Sequence, residues 1–417
     1  MNWTSSTHQQ VQAREHAYAI ALEDIDPTHW DLYRNDTLWP YFERLRREKP
    51  VHFHEQTLSG PFWSVTSFEH IKTVDIDHKS FSSEPTIGLD PVLQNQTLPM
   101  FIAMDEPRHS AQRRTVQGVV APKNLANLEP TIRARVNEIL DGLPEGEPFN
   151  WVQQVSVELT TQMLATLFDF PFEERGRLTR WSDVTTATPK SGIVESSEQR
   201  RQELFECLEY FTHMRNERIN KPEGTDLLTM LARGDSTRNM DPMEFLGNIL
   251  LLIVGGNDTT RNSISGGVLA MNEFPDQLAK LRGNPGLIPN AVSEIIRWQT
   301  PLAYMRRTAL EDIELNGETI RAGDRVLMWY VSGNRDETVF EEPHRLDIER
   351  KNARQHLAFG FGIHRCMGNR LAELQLRILW EEMLPRFAAI DVVGEPVRAV
   401  SNFVRGYTEL PVVVRRH

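Results

Sequence analysis

Ten residues near the C-terminus constrain this chain more than any other stretch: Phe359-Gly360-Phe361-Gly362-Ile363-His364-Arg365-Cys366-Met367-Gly368. They stand directly before a run of clear helical periodicity, Asn369 to Leu384, closed by Pro385. The glycines let the backbone fold tightly around the Cys366 sulfur and approach a flat ligand closely. A thiolate in this position is favoured by the following helix N-terminus and by nearby backbone N–H groups. His364 and Arg365 add positive charge. The competing reading is a buried structural cysteine, the commoner role for an intracellular thiol. With 19 Phe, 24 Gly and 13 His in 417 residues, Phe, Gly, His and Gly meet around either cysteine by chance on the order of once in 10⁵. Cys207, inside the helical run RQELFECLEYF, takes the structural reading instead.

Two cysteines in a chain this long exclude a disulfide scaffold and point to a reducing compartment. The net charge of -12 repels phosphate and argues against nucleic acid as a partner. The strongest apolar run, Ile249 to Val254, is far shorter than the roughly 20 residues a bilayer requires. Met1 to Ala13 carries no apolar signal region. The expectation is a cytoplasmic protein with no membrane anchor.

Spacing predicts a helix over Trp39 to Arg47 and short strands from Val51 to Val65 around Ser59-Gly60. Helical patterns dominate from Arg108 to Leu281, with another from Leu287 to Thr300, stopped by Pro301. Strands follow at Thr308 to Leu315, Thr319 to Arg321 and Arg325 to Val331, with a hairpin signal at Asn316-Gly317. The tail from Ala388 to Val414 reads as strands. Residues 1 to about 30 read as a polar segment, either an extended arm or a fraying first helix. No linker interrupts the chain, so 1–417 is read as one domain, mainly α with small β-sheets.

A lone thiolate under such control suits a single axial bond to iron. F-x-x-G-x-H-x-C-x-G resembles the haem-binding signature of the cytochrome P450 superfamily. That resemblance implies haem b with Cys366 as metal ligand and Phe359, His364 and Gly368 around the cofactor. It also implies a helix-rich triangular prism, with haem between a long oxygen-activation helix and the Cys loop. Gly255-Gly256-Asn257-Asp258-Thr259 matches the family's oxygen-activation motif. A mid-helix glycine costs about 1 kcal/mol; close approach to haem and dioxygen gives a reason for it. Taken alone, the same residues also read as a helix end followed by an Asp cap. By resemblance Asp258 gathers protons and Thr259 steadies reduced dioxygen. Glu294 and Arg297, at i and i+3, are implied to be a buried structural ion pair, closed by the stretch around Asn334 to Asp336, Pro343, Asp347 and Arg350. His109, Arg113, Arg306 and His364 are implied to hold the haem propionates.

The implied reaction is monooxygenation with O2 and two electrons. The chain shows no dinucleotide fingerprint and no cysteine set for an iron–sulfur cluster. Electrons from NAD(P)H would come through a ferredoxin reductase and a small acidic ferredoxin. Its dock would be a basic face drawn from Arg345, Arg350, Lys351, Arg354, His356, His364, Arg365, Arg370 and Arg377. Longer strings, including LLLIVGGNDTTRNSISGG from Leu250 and EIIRWQTPLAYMRRTA from Glu294, resemble the soluble bacterial alkane and fatty-acid terminal hydroxylases. By that resemblance the substrate pocket is formed by Ile87 to Ile102 (with Leu98, Phe101 and Ile102), Leu251 to Gly256 (with Val254 and Gly255), Leu302, Ala303, Phe403 and Val404. Its apolar composition suits an apolar small molecule. Bulkier terpenoids or steroids, a peroxide-driven enzyme, and a non-enzymatic haem sensor are the alternatives. The Asp258–Thr259 pair argues against the last two.

Overall fold

The computed structural model describes residues 7–89, 97–188, 190–220 and 224–417. Part of the Ile87 to Ile102 pocket segment, residues 90–96, lies outside the described residues, as do residues 1–6 of the N-terminal arm. Of the two readings of that arm, the structure shows the helix. Helix α1 (Thr7–Ala19) buries Ala13 and Ala17 with Tyr41, Phe42 and Leu45 of α2 (Trp39–Glu48).

Helix follows α3 (Phe68–Ile76) and α4 (Arg108–Gln117), then α5 (Gly176–Thr186). The central element is α6 (Pro242–Glu273), 32 residues and about 48 Å long. Asp241 caps it by accepting from the N–H groups of Met243 (2.9 Å) and Glu244 (3.1 Å), with Pro242 in the first turn. It runs unbroken through Gly255-Gly256, so those glycines do not end a helix. Most of its residues are buried, and its apolar ones join the largest hydrophobic cluster, which also takes in residues of α7 (Ile288–Gln299) and α8 (Asn369–Arg386). Helix α8 passes Pro385 by one residue before Phe387 turns extended.

Five short strands form the main sheet: β1 (Val51–His54), β2 (Phe62–Val65), β3 (Phe81–Ser82), β4 (Met305–Ala309) and β5 (Arg325–Met328), in the order β1-β2-β5-β4-β3. Only β2 and β5 run parallel, with Trp63 opposite Val326. Alternation sends Phe62 and Leu327 into one apolar cluster and Trp63, Val326 and Met328 into another. The predicted strand Thr308 to Leu315 is two strands, separated by a bend at 310–312. In the hairpin that follows, Asn316 (φ 54°) and Gly317 (φ 77°) both take the left-handed backbone a two-residue turn requires. A three-stranded sheet joins Phe149–Asn150, Pro411–Arg416 and Phe387–Val392. Among the described residues no helix is long and apolar enough to cross a membrane.

Candidate active site

Between α6 and the loop before α8 lies a cavity of about 970 Å³. Cys366 opens onto it. Its N–H donates to the Phe359 carbonyl at 2.8 Å, folding the loop back on itself. Gly360 and Gly362 hold positive φ (64° and 65°). A Cβ on Gly362 would stand 2.7 Å from the Asp75 carbonyl oxygen, so the loop packs against α3 as only glycine allows. Burial pushes the Cys366 thiol up. Opposing that are the Gly368 N–H, the Arg113 and Arg365 guanidiniums and the Asn369 N–H, all of which favour the thiolate. The first turn of α8 thus supplies the donors expected from sequence.

Of the sequence-predicted residues, Phe101, Ile102, Arg113, Leu251, Val254, Gly255, Gly256, Thr259, Leu302, Phe359, His364, Cys366, Gly368 and Phe403 line the cavity. Others support it from behind. Leu98 packs in the main core, and the Ala303 N–H donates to the Phe403 carbonyl at 2.9 Å. Val404 pairs with Leu302 in an isolated bridge. His109 does not face the cavity: its ring nitrogens contact the carbonyls of Phe101 (2.6 Å) and Ile363 (3.1 Å), and its ring centroid lies 4.0 Å from that of His364, the two rings tilted by 50°.

Arg306 is a correction. Strand alternation in β4 puts Met305 and Arg307 toward the cavity and turns Arg306 away. Arg307 is 3% exposed and pairs with Asp75 at 2.8 Å. Arg113 reaches the Arg365 carbonyl at 2.6 Å. His364 bonds Ser83 Oγ through Nε2 (2.9 Å), while its buried Nδ1 has no partner. Burial, then Arg307 and His109, push the His364 imidazolium down to about 2.

On α6, Thr259 faces the cavity and donates to the Gly255 carbonyl at 3.0 Å. Asp258, one residue earlier, is fully buried and turned toward α5. It accepts from Ser182 (3.0 Å) and Thr186 (3.2 Å) and pairs with Arg261 at 3.0 Å. Arg261 pairs in turn with the partly exposed Asp183 at 2.8 Å. Burial raises the Asp258 carboxyl, and Asp183 adds to that, against Arg261 and the two hydroxyls. Thr186 lines the cavity, so it links the acid to the open space. Sequence reading missed Ser182, Thr186, Asp183 and Arg261; only Arg261, three residues along the same helix, left a local signal.

Glu294 and Arg297 are both fully buried and joined by two 2.7 Å bonds. Arg350 and the Asp347 N–H complete Glu294 (3.1 and 3.0 Å), while Arg297 reaches the carbonyls of Asn334 and Pro343. Neither faces the cavity. The basic face is smaller than its sequence list. Arg350, His356 and His364 are buried, and Arg345 and Arg377 are in ion pairs with Asp276 and with Glu129 and Glu381. Lys351, Arg354, Arg365 and Arg370 remain exposed, with Glu373 beside the last three.

The Cytochrome P450 family model matches residues 286–401, which carry Glu294, Arg297 and Cys366. Linalool 8-monooxygenase from Pseudomonas putida is 34% identical over 94% of this chain and 99% of its own length. The chain belongs to the cytochrome P450 family. A methyl-branched lipid omega-hydroxylase from Mycobacterium tuberculosis is 32% identical over 94% of this chain and 95% of that protein. Among solved structures, CYP153D17 from Sphingomonas sp. PAMC 26605 is 50% identical, with a TM-score of 0.89 over 93% of this chain and 98% of that one. Cytochrome P450-153 from Novosphingobium aromaticivorans is 45% identical, with a TM-score of 0.87 over 94% and 99%. This P450 is a monooxygenase, as its curated relatives are named, and the family implies haem and O2. The residues present fit that group. A single thiol opens on the cavity, Arg113 and Arg307 supply positive charge, the His364 Nδ1 lacks a partner, and a Cβ on Gly255 would meet nothing within 4 Å.

Proposed function

We propose that this P450 is a cytoplasmic enzyme that hydroxylates medium-chain alkanes, alicyclics or fatty acids, often at the terminal carbon. The observation that carries the reading is that most of the cavity's hydroxyls are already engaged by the protein. Thr185 donates to the Trp181 carbonyl (2.6 Å), Thr188 to Val400 (2.7 Å), Thr259 to Gly255 (3.0 Å) and Ser263 to Thr259 (2.9 Å). Thr186 is held by Ser182 and Asp258, and Ser401 accepts from the N–H groups of Phe403 and Val404. What remains toward a ligand is largely apolar: Phe101, Ile102, Leu251, Val254, Leu302 and Phe403. A ligand with few polar groups desolvates this lining at least cost. The omega-hydroxylase named among the relatives points the same way.

Bound haem supplies dioxygen activation and oxygen insertion. Cys366 would hold the iron, with its negative charge steadied by the Gly368 and Asn369 N–H groups. Arg113, Arg307 and His364 would meet the propionates. Asp258 and Thr186 would carry protons from the Asp183 surface, and Thr259 would place a hydroxyl at the cavity side of α6. A small acidic ferredoxin, fed from NAD(P)H by its reductase, would dock at Lys351, Arg354, Arg365 and Arg370. The test is product analysis with a reconstituted ferredoxin system. Octane and a C12 fatty acid should give a type I spectral shift and hydroxylated product. A response to terpenoids or steroids alone overturns the reading in favour of the second one, which the linalool-hydroxylating relative supports.

A further inference from the structure

Asp75 lies at the end of α3, far in sequence from every motif above, and is 2% exposed. Its Oδ1 accepts from Arg307 at 2.8 Å. Its Oδ2 accepts from the Tyr330 hydroxyl at 2.9 Å and from the Phe361 N–H at 2.7 Å. These three donors come from β4, from the short helix Tyr330–Gly333 after β5, and from the Cys loop itself, five residues before Cys366. Gly360 is pressed onto the same oxygen, for a Cβ there would stand 3.1 Å from Asp75 Oδ2. Arg307, Tyr330 and Gly360 all line the cavity, and Asp75 stands directly behind them.

We infer that Asp75 is a positioning residue that ties the cavity-facing arginine to the Cys loop and sets a fixed negative charge behind the haem pocket. Burial raises the Asp75 carboxyl, and Arg307, the Phe361 N–H and the Tyr330 hydroxyl oppose that; all three bonds come from donors, so the ionised carboxylate is the form that matches the site. Without it Arg307 would keep its charge with one anchor fewer, its Nη1 bond to the Arg306 carbonyl at 3.0 Å. The loop would also lose the bond at Phe361. Two consequences follow. The arginine and the loop would be held less firmly, so haem would leave faster. The local potential would become more positive, so the iron would be easier to reduce. This inference does not depend on which substrate is used.

The test compares the loaded wild type with Asp75→Asn and Tyr330→Phe. Haem transfer to excess apomyoglobin and the iron midpoint potential are measured for each. Asp75→Asn should lose haem at least about tenfold faster, the scale of one lost charge-assisted bond, and its midpoint potential should rise. Tyr330→Phe removes one donor and no charge, so haem loss should quicken a few-fold while the potential holds. Unchanged haem loss and potential in Asp75→Asn overturn the proposal. Equal potential shifts in both variants overturn it too, because packing rather than charge would then be the cause. Should Asp75→Asn not load haem, Tyr330→Phe decides: an unchanged rate of haem loss overturns the clamp.

Discussion

Gly255 and Gly256 are adjacent on α6, yet one added methyl group has opposite consequences at the two. Alanine in place of a helical glycine gains about 1 kcal/mol from propensity alone. At Gly255 a Cβ meets nothing within 4 Å, so that gain stands. At Gly256 the Cβ would lie 2.7 Å from Leu164 Cδ2, on a side chain only 1% exposed. Displacing a packed leucine costs about 1–3 kcal/mol. Propensity cancels between the two variants, so their difference isolates the packing cost. Gly255→Ala is therefore predicted to be more stable than Gly256→Ala by about 1–3 kcal/mol. Urea titration followed by circular dichroism measures it on the haem-free chains, where only protein contacts differ. Equal midpoints, or a more stable Gly256→Ala, would show that Leu164 yields without cost. The pair also divides the roles of the motif: Gly256 lets α6 approach the Glu158–Phe168 helix, whereas Gly255 keeps the cavity open. Gly255→Ala should accordingly weaken the spectral response to bulkier ligands while leaving the fold intact.

Thr259→Ala should raise peroxide release and lower product per electron pair, within the factor of about 10²–10⁴ that positioned proton transfer supplies; unchanged coupling would move the proton route elsewhere. Arg297→Ala leaves Glu294 buried with Arg350 as its remaining cation, and a loss of about 3–5 kcal/mol is expected in urea titration. A loss below about 1 kcal/mol would contradict the buried-pair assignment. Glu273, at the end of α6, has its carboxyl pushed up to about 7, first by burial and next by Asp36, against Arg398, Arg405 and Arg335. Unfolded glutamate ionises near ~4.3, so the wild type loses stability as pH rises from there through 7, by up to about 3 kcal/mol. Glu273→Gln escapes that loss. It should match the wild type near pH ~4 and exceed it at pH ~8; parallel stability curves for the two proteins would show the carboxyl is not strained.

Patterns confined to one helix or one loop were legible in the sequence. Cys366 with its glycines, Asp258-Thr259, and Glu294 with Arg297 each sit within a turn or two of their partners, where spacing alone fixes which side chains share a face. What was lost depends on elements far apart in the chain. Asp258 meets Ser182 and Thr186 only because α5 packs across α6. Arg306 and Arg307 differ by one step of strand alternation, set by the register of β4 against β5, with Arg307 opposite Val326. Leu98, Ala303 and Val404 lie in segments implied by the family resemblance, and neither that segment-level match nor their apolar composition separates a cavity wall from the layer behind it. Asp75 has no motif at all: its three partners lie more than two hundred residues away.

Cys366 is proposed as the iron ligand around which the site is built. The reduced carbon-monoxide complex of the wild type, set beside that of Cys366→Ala, tests it most directly. The wild type should absorb at the position of a thiolate-ligated haem, and the variant should lose that band entirely. A thiolate-type band surviving in Cys366→Ala would mean that another residue holds the iron.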